Sequence, residues 1–139
     1  MDKYQGRVSG PLMDRIDLHV EVPPVEFDEL SRAAPAESSA DIRKRVNAAR
    51  AVQTARFGPE GPSCNARMGR RELERYCALD DGCQAMMKGA FTRLGLTARS
   101  HDRILRVART IADLDSSEAI QAPHLAEALQ YRSSRYLVP

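Results

Sequence analysis

The sequence predicts a mainly α fold, a helical bundle of about five helices preceded by one β-strand. Three observations carry that expectation. From Ser38 onward the apolar residues recur at three- and four-residue spacing. Glycines and prolines, in "FGPEGPSCN" and at Gly95, cut this region into segments of helical length. Only one stretch alternates instead: Ile16, Leu18, Val20 and Val22 are separated by Asp17, His19 and Glu21, the pattern of a strand with one buried face.

In chain order, Pro23 and Pro24 end the strand, because proline cannot donate to a ladder. A lone strand needs neighbours for its backbone donors and acceptors, so residues 1–24 read as part of something larger. Residues 25–35 read as a linker anchored by Phe27 and Leu30. A first helix starts near Ser38 or Ser39, with Ser38 and Asp41 as a capping box. It buries Ile42, Val46, Ala49 and Val52 or Gln53, and ends before Gly58. A shorter helix over Gly69 to Cys77 buries Leu73, Tyr76 and Cys77. Asp80 or Asp81 caps a third, in which Cys83, Met87, Phe91 and Leu94 share a face until Gly95 stops it. The fourth, from Ser100 to Leu114, has the clearest pattern. Ile104, Val107, Ala108, Ile111 and Leu114 form one face, and Arg99, Arg103, Arg106 and Arg109 fall opposite, within about a third of a turn at about 100° per residue. That helix reads as having an apolar inside and a basic outside. The last helix starts at Pro123 and buries Leu125, Ala128 and Leu129.

Composition narrows the function. At 139 residues the chain suits one domain, or one and a fraction, with 42% apolar and 29% charged residues. Aromatics make up 5%, which speaks against a base-stacking sheet. No run approaches the ~20 apolar residues of a membrane span, and no signal-peptide core is present, so a cytoplasmic protein is expected. Cys64, Cys77 and Cys83 lack Cys-x-x-Cys spacing and read as free thiols. His19, His101 and His124 have no partner at ligand spacing, so no metal site is expected. The net charge of +2 does not by itself imply nucleic-acid binding.

No phosphate-cradling Gly-x-x-x-x-Gly-Lys-Ser/Thr occurs, no apolar strand ends in paired acids for magnesium, and no nucleophile elbow is recognisable. In isolation the chain is therefore not expected to be an enzyme. Two sets of arginines remain. Arg15 has two readings: a surface arginine paired with Asp14 or Asp17, which spacing alone favours, or an arginine finger reaching a nucleotide bound by a neighbouring subunit. The stripe Arg99, Arg103, Arg106 and Arg109 could be a solvated face, contact a nucleotide phosphate, touch another subunit, or track DNA together with Arg43, Lys44, Arg45 and Arg50.

Four separated stretches, "SGPLMDRIDLHVEVPPV", "ESSADIRKRVNAARAVQTARF", "LTARSHDRILRVARTIADL" and "HLAEALQYR", taken in order resemble the C-terminal portion of the bacterial magnesium-chelatase-like AAA+ proteins, the ComM/YifB group. The resemblance covers nearly the whole chain. It implies that residues 1–24 are the end of an αβα nucleotide-binding core and that 36–139 form an α-helical lid. It further implies that the intact protein is a ring-forming, hexameric ATPase using ATP and Mg2+, associated with DNA handling such as branch migration. Related subunits instead power magnesium insertion into porphyrins. The resemblance makes Arg15 the finger that serves a neighbour's ATP and Arg99 the sensor-2 arginine that contacts the subunit's own nucleotide. The phosphate-binding loop and the magnesium-binding strand of that family are missing here, so no nucleotide is expected on this chain alone. The partners implied are the absent core and the neighbouring ring subunits, with DNA possible and no membrane. The alternative is a stand-alone helical DNA-binding or protein-interaction module.

Overall fold

The computed structural model describes residue 12, residues 15–24 and residues 36–132. Within them lie five α-helices: α1 (Ser39–Phe57), α2 (Arg70–Tyr76), α3 (Asp81–Leu94), α4 (Ala98–Leu114) and α5 (Ala122–Gln130). A 3-10 turn, Asn65–Arg67, joins α1 to α2. The molecule is the expected mainly α bundle.

Local chemistry sets the boundaries. Ser38 caps α1: its hydroxyl oxygen accepts the Asp41 N–H at 3.2 Å and the hydroxyl donates to the Asp41 carboxylate at 2.6 Å. Glu72 reaches back to the Gly69 N–H at 2.8 Å at the start of α2. Asp80, rather than Asp81, caps α3 by accepting the Cys83 N–H at 2.7 Å. Gly95 ends α3 in the left-handed region, φ 59° and ψ 38°, where a Cβ is disfavoured. Thr97 caps α4 two residues earlier than the periodicity indicates, accepting the Ser100 N–H at 3.2 Å. At α5, Nδ1 of the buried His124 accepts the Gln121 N–H at 3.0 Å. The proton therefore sits on Nε2, which donates to Asp115 at 3.0 Å.

Helix α4 is central. It packs against α5, α1, the 3-10 turn and α2, and α5 packs in addition on α3. The core joins Ile104, Leu105, Ala108 and Ala112 of α4 to Leu125, Ala128 and Leu129 of α5. Met87 and Cys83 of α3, Leu73 and Cys77 at α2, and Met68 complete it. Ala108, Ala112 and Ala128 are all but inaccessible, and small side chains at these positions let α4 and α5 approach closely.

Three expectations are corrected. Ile16 to Val22 forms no strand; Ile16, Leu18, Val20 and Val22 are exposed. A ladder needs a second strand, and the described residues contain none. The face of α1 is covered only along its C-terminal half. Ala49 and Gln53 are buried, whereas Ile42 and Val46, on the same face, are 43% and 47% exposed, and Val52 is exposed as well. Periodicity defines a face but not the length over which a neighbour covers it. The basic side of α4 is not a solvated outside: Arg109 is 2% exposed, and Arg103 and Arg106 are half-buried. Phe27 and Leu30 lie outside the described residues.

Candidate functional site

The sequence-singled arginines separate into two environments. Arg99 occupies the second position of α4, exposed, in a first turn that carries no acidic residue. A cation there opposes the positive end of the helix dipole, an arrangement that favours a bound anion. Arg99 also lines a groove of about 1000 Å³ between α2, α3 and α4. Leu73, Met87 and Leu105 form part of its floor, and Lys88 and His101 stand on its walls.

Arg15 is fixed through its main chain, and its side chain is exposed. Its N–H donates to the Leu12 carbonyl at 3.0 Å, and its carbonyl accepts from Nη1 of Arg103 at 2.8 Å. The same guanidinium pairs with Asp17. The pairing of Arg15 with Asp17 is thus replaced by one between Arg103 and Asp17; Asp14 lies outside the described residues. Among the described residues no carboxylate pairs with Arg15, and its side chain is exposed. A second tether, His19 N–H to the Tyr131 carbonyl at 3.0 Å, fixes the segment to the end of α5.

Further along α4 the arginines turn inward. Arg106 donates through Nε and Nη2 to the Met68 carbonyl, at 3.1 and 2.8 Å. Arg109 donates to the Ser117 and Glu118 carbonyls and pairs with Asp113, which is fully covered. Asp113 is held from α1 as well: Arg56 forks onto both its oxygens, and Asn65 donates to it at 2.8 Å. Gln53 accepts the Asn65 N–H at 3.1 Å. Burial pushes the Asp113 carboxyl up, but the bonds from Arg56 and Asn65 and the charges of Arg109 and Arg56 outweigh it, so the net shift is below the ordinary carboxylate value. This cluster was not singled out from sequence. The available signal was Asp113 itself, an acid one turn beyond Arg109 on the basic stripe.

The thiols divide too. Burial pushes Cys77 up to about 11 and raises Cys83, while Cys64 is lowered, the cost of its burial outweighed by bonds from Arg50 and from the Ala66 N–H. No trio of His, Cys, Asp or Glu among the described residues is placed to hold a metal ion. No described helix is long and apolar enough to cross a membrane.

The described residues thus form a five-helix bundle built around one central helix, with an exposed arginine at that helix's start and a second on a tethered N-terminal segment. The chain belongs to the magnesium chelatase subunit ChlI C-terminal family, which matches residues 36–132; the family of the magnesium chelatase subunit ChlI matches residues 1–30. The chain is 42% identical over 132 residues to the competence protein ComM of Haemophilus influenzae, covering 94% of the chain and 25% of that protein. It is 40% identical over 132 residues to YifB of Escherichia coli, an uncharacterized protein, with the same coverage. An uncharacterized protein of Mycobacterium tuberculosis is 34% identical over 132 residues, 95% of the chain and 26% of that protein. The chain therefore spans about a quarter of the length of the relatives it matches.

Proposed function

We propose that this chain acts as the lid of a magnesium-chelatase-like AAA+ ATPase, closing over ATP and passing the nucleotide state to the packing of a ring. Family membership supports the class. The observation that carries the residue assignment is the presentation of Arg15: main chain bonded on both sides, side chain exposed and, among the described residues, without an acidic partner. A guanidinium held this way keeps its charge and planar fork available for a phosphate outside its own domain. Arg99, exposed at the N-terminal end of α4, suits the subunit's own nucleotide. The phosphate-binding loop, the magnesium ligands and the ring contacts would come from the longer protein. The Haemophilus relative is named a competence protein, and we assign to the intact machine the DNA handling that the family resemblance implies.

The reading as a stand-alone DNA-binding module is less well supported. Of its proposed contacts Arg43, Lys44, Arg45, Arg50 and Arg99 are exposed, but Arg109 is buried and Arg103 and Arg106 are engaged within the fold.

In a chain of the relatives' full length, Arg15→Ala is expected to abolish ATP turnover while leaving ATP binding largely intact, and Arg99→Ala to weaken nucleotide binding itself. Steady-state turnover and titration with a fluorescent ATP analogue measure the two. Unchanged turnover in Arg15→Ala removes the finger.

A further inference from the structure

A third arginine lies on the helix of one of these two and bonds to the main chain of the other. We propose that Arg103 is a positioning residue that couples Arg99 to Arg15, so that a phosphate bound by one subunit sets the finger offered to the next. The inference rests on the reading of Arg15 and Arg99 given above.

The geometry is a two-point clamp across 88 residues of sequence: Nη1 of Arg103 donates to the Arg15 carbonyl at 2.8 Å and pairs with the Asp17 carboxylate. Arg99 and Arg103 lie four residues apart on α4, so they share a face and are separated by roughly 6 Å along the axis. A displacement of the first turn of α4, such as a phosphate drawn to Arg99 would produce, moves the root of Arg103 with it. The Arg15 carbonyl then follows, because it is one of the groups that guanidinium holds. The Arg15 side chain is left out of the clamp and is exposed. Neither Arg103 nor Asp17 is fully covered; their side chains retain 23% and 50% of their accessibility. A pair this open contributes little to folding, and its directional bonds fix where the segment lies.

The test uses the full-length protein. Arg103→Ala is expected to leave the affinity for ATP near that of the parent and to lower kcat by about tenfold, an effect on the transition state and not on ground-state binding. Arg103→Lys, which keeps the charge and loses the planar fork, is expected to fall between the two. A second readout is protection of the peptide bond after Arg15 from trypsin: a non-hydrolysable ATP analogue should change its cleavage rate in the parent and not in Arg103→Ala. Parental kcat in Arg103→Ala together with a parental response to the analogue overturns the coupling. If Arg103→Ala does not fold, Asp17→Asn, which weakens the same clamp from its exposed side, must show the same loss of response or the coupling fails. Arg15→Ala separates the two ideas: if it leaves turnover unchanged, the finger reading itself has failed. If it abolishes turnover while the Arg103 variants are silent, only the coupling has.

Discussion

Asp113 ties the bundle together through charge. It accepts from Arg56 of α1, from Arg109 of its own helix and from Asn65 of the 3-10 turn, so three elements meet at one carboxylate. Removing it strands two guanidinium groups, both largely covered. Breaking a buried ion pair in this way costs about 3–5 kcal/mol, and Asp113→Ala should lose that much in urea unfolding. The sign of the acid response follows from the same bonds. The folded carboxyl is held below its unfolded value, so the ionised form stabilises the protein above about pH 4, and that contribution is lost as the pH falls through the lower, folded value. The urea midpoint is expected to fall in acid, and Asp113→Asn to flatten the decline. A remainder would stay with Glu37, Asp41 and Asp80, lowered by bonds from Arg45, Ser38 and the Cys83 N–H.

At the scale of the element, the junction between α3 and α4 spans only Gly95 to Thr97, and each end is fixed by one residue. Gly95→Ala meets no atom within 4 Å, so its cost is the left-handed backbone alone, about 1 kcal/mol. Thr97→Ala removes the bond to the Ser100 N–H and should cost about 1 kcal/mol as well. Thermal melts of each variant check both; a parental melt for Gly95→Ala would mean that the turn relaxes out of that conformation. These ends were legible in the sequence because Ser38, Asp80 and Gly95 act through bonds to residues no more than four positions away. The apolar side of α4 was legible as well, but its basic side was not. Side-chain periodicity sorts residues by polarity, and a polar stripe counts as outside unless its partners are known. Arg106 and Arg109 meet carbonyls at Met68, Ser117 and Glu118, and a backbone carbonyl leaves no mark in a sequence. The alternation of Ile16 to Val22 was visible for the converse reason, yet a ladder depends on a neighbour no single segment encodes. The roles proposed for Arg15 and Arg99 come only from the family resemblance; spacing alone paired Arg15 with Asp14 or Asp17, of which Asp17 meets Arg103 instead and Asp14 lies outside the described residues.

For the molecule as a whole, the arrangement around α4 sets which parts open together. Its neighbours are drawn from nearly the full length of the described chain: α1 and the 3-10 turn, α2 and α5. The middle of α4, around Ile104, Ala108 and Ala112, is shielded on all of those sides, and its amides can reach solvent only when most of the bundle has come apart. The first two turns of α1, with Ile42 and Val46 in solvent, can fray without disturbing anything else. Native-state hydrogen–deuterium exchange should resolve this as a gradient. Amides of 104–112 are expected to exchange at the rate of global unfolding and those of 40–46 orders of magnitude faster, with Ala49 and Gln53 marking the step between them. Equal protection along the whole of α1 would mean that something holds its first turns as firmly as its last. A single helix against which α1, the 3-10 turn, α2 and α5 pack, with α3 joined to it through α5, makes the bundle one cooperative unit with one loose arm. Whatever pulls on the first turn of α4 is then felt throughout the unit, while a load on the first turns of α1 is dissipated in that arm alone.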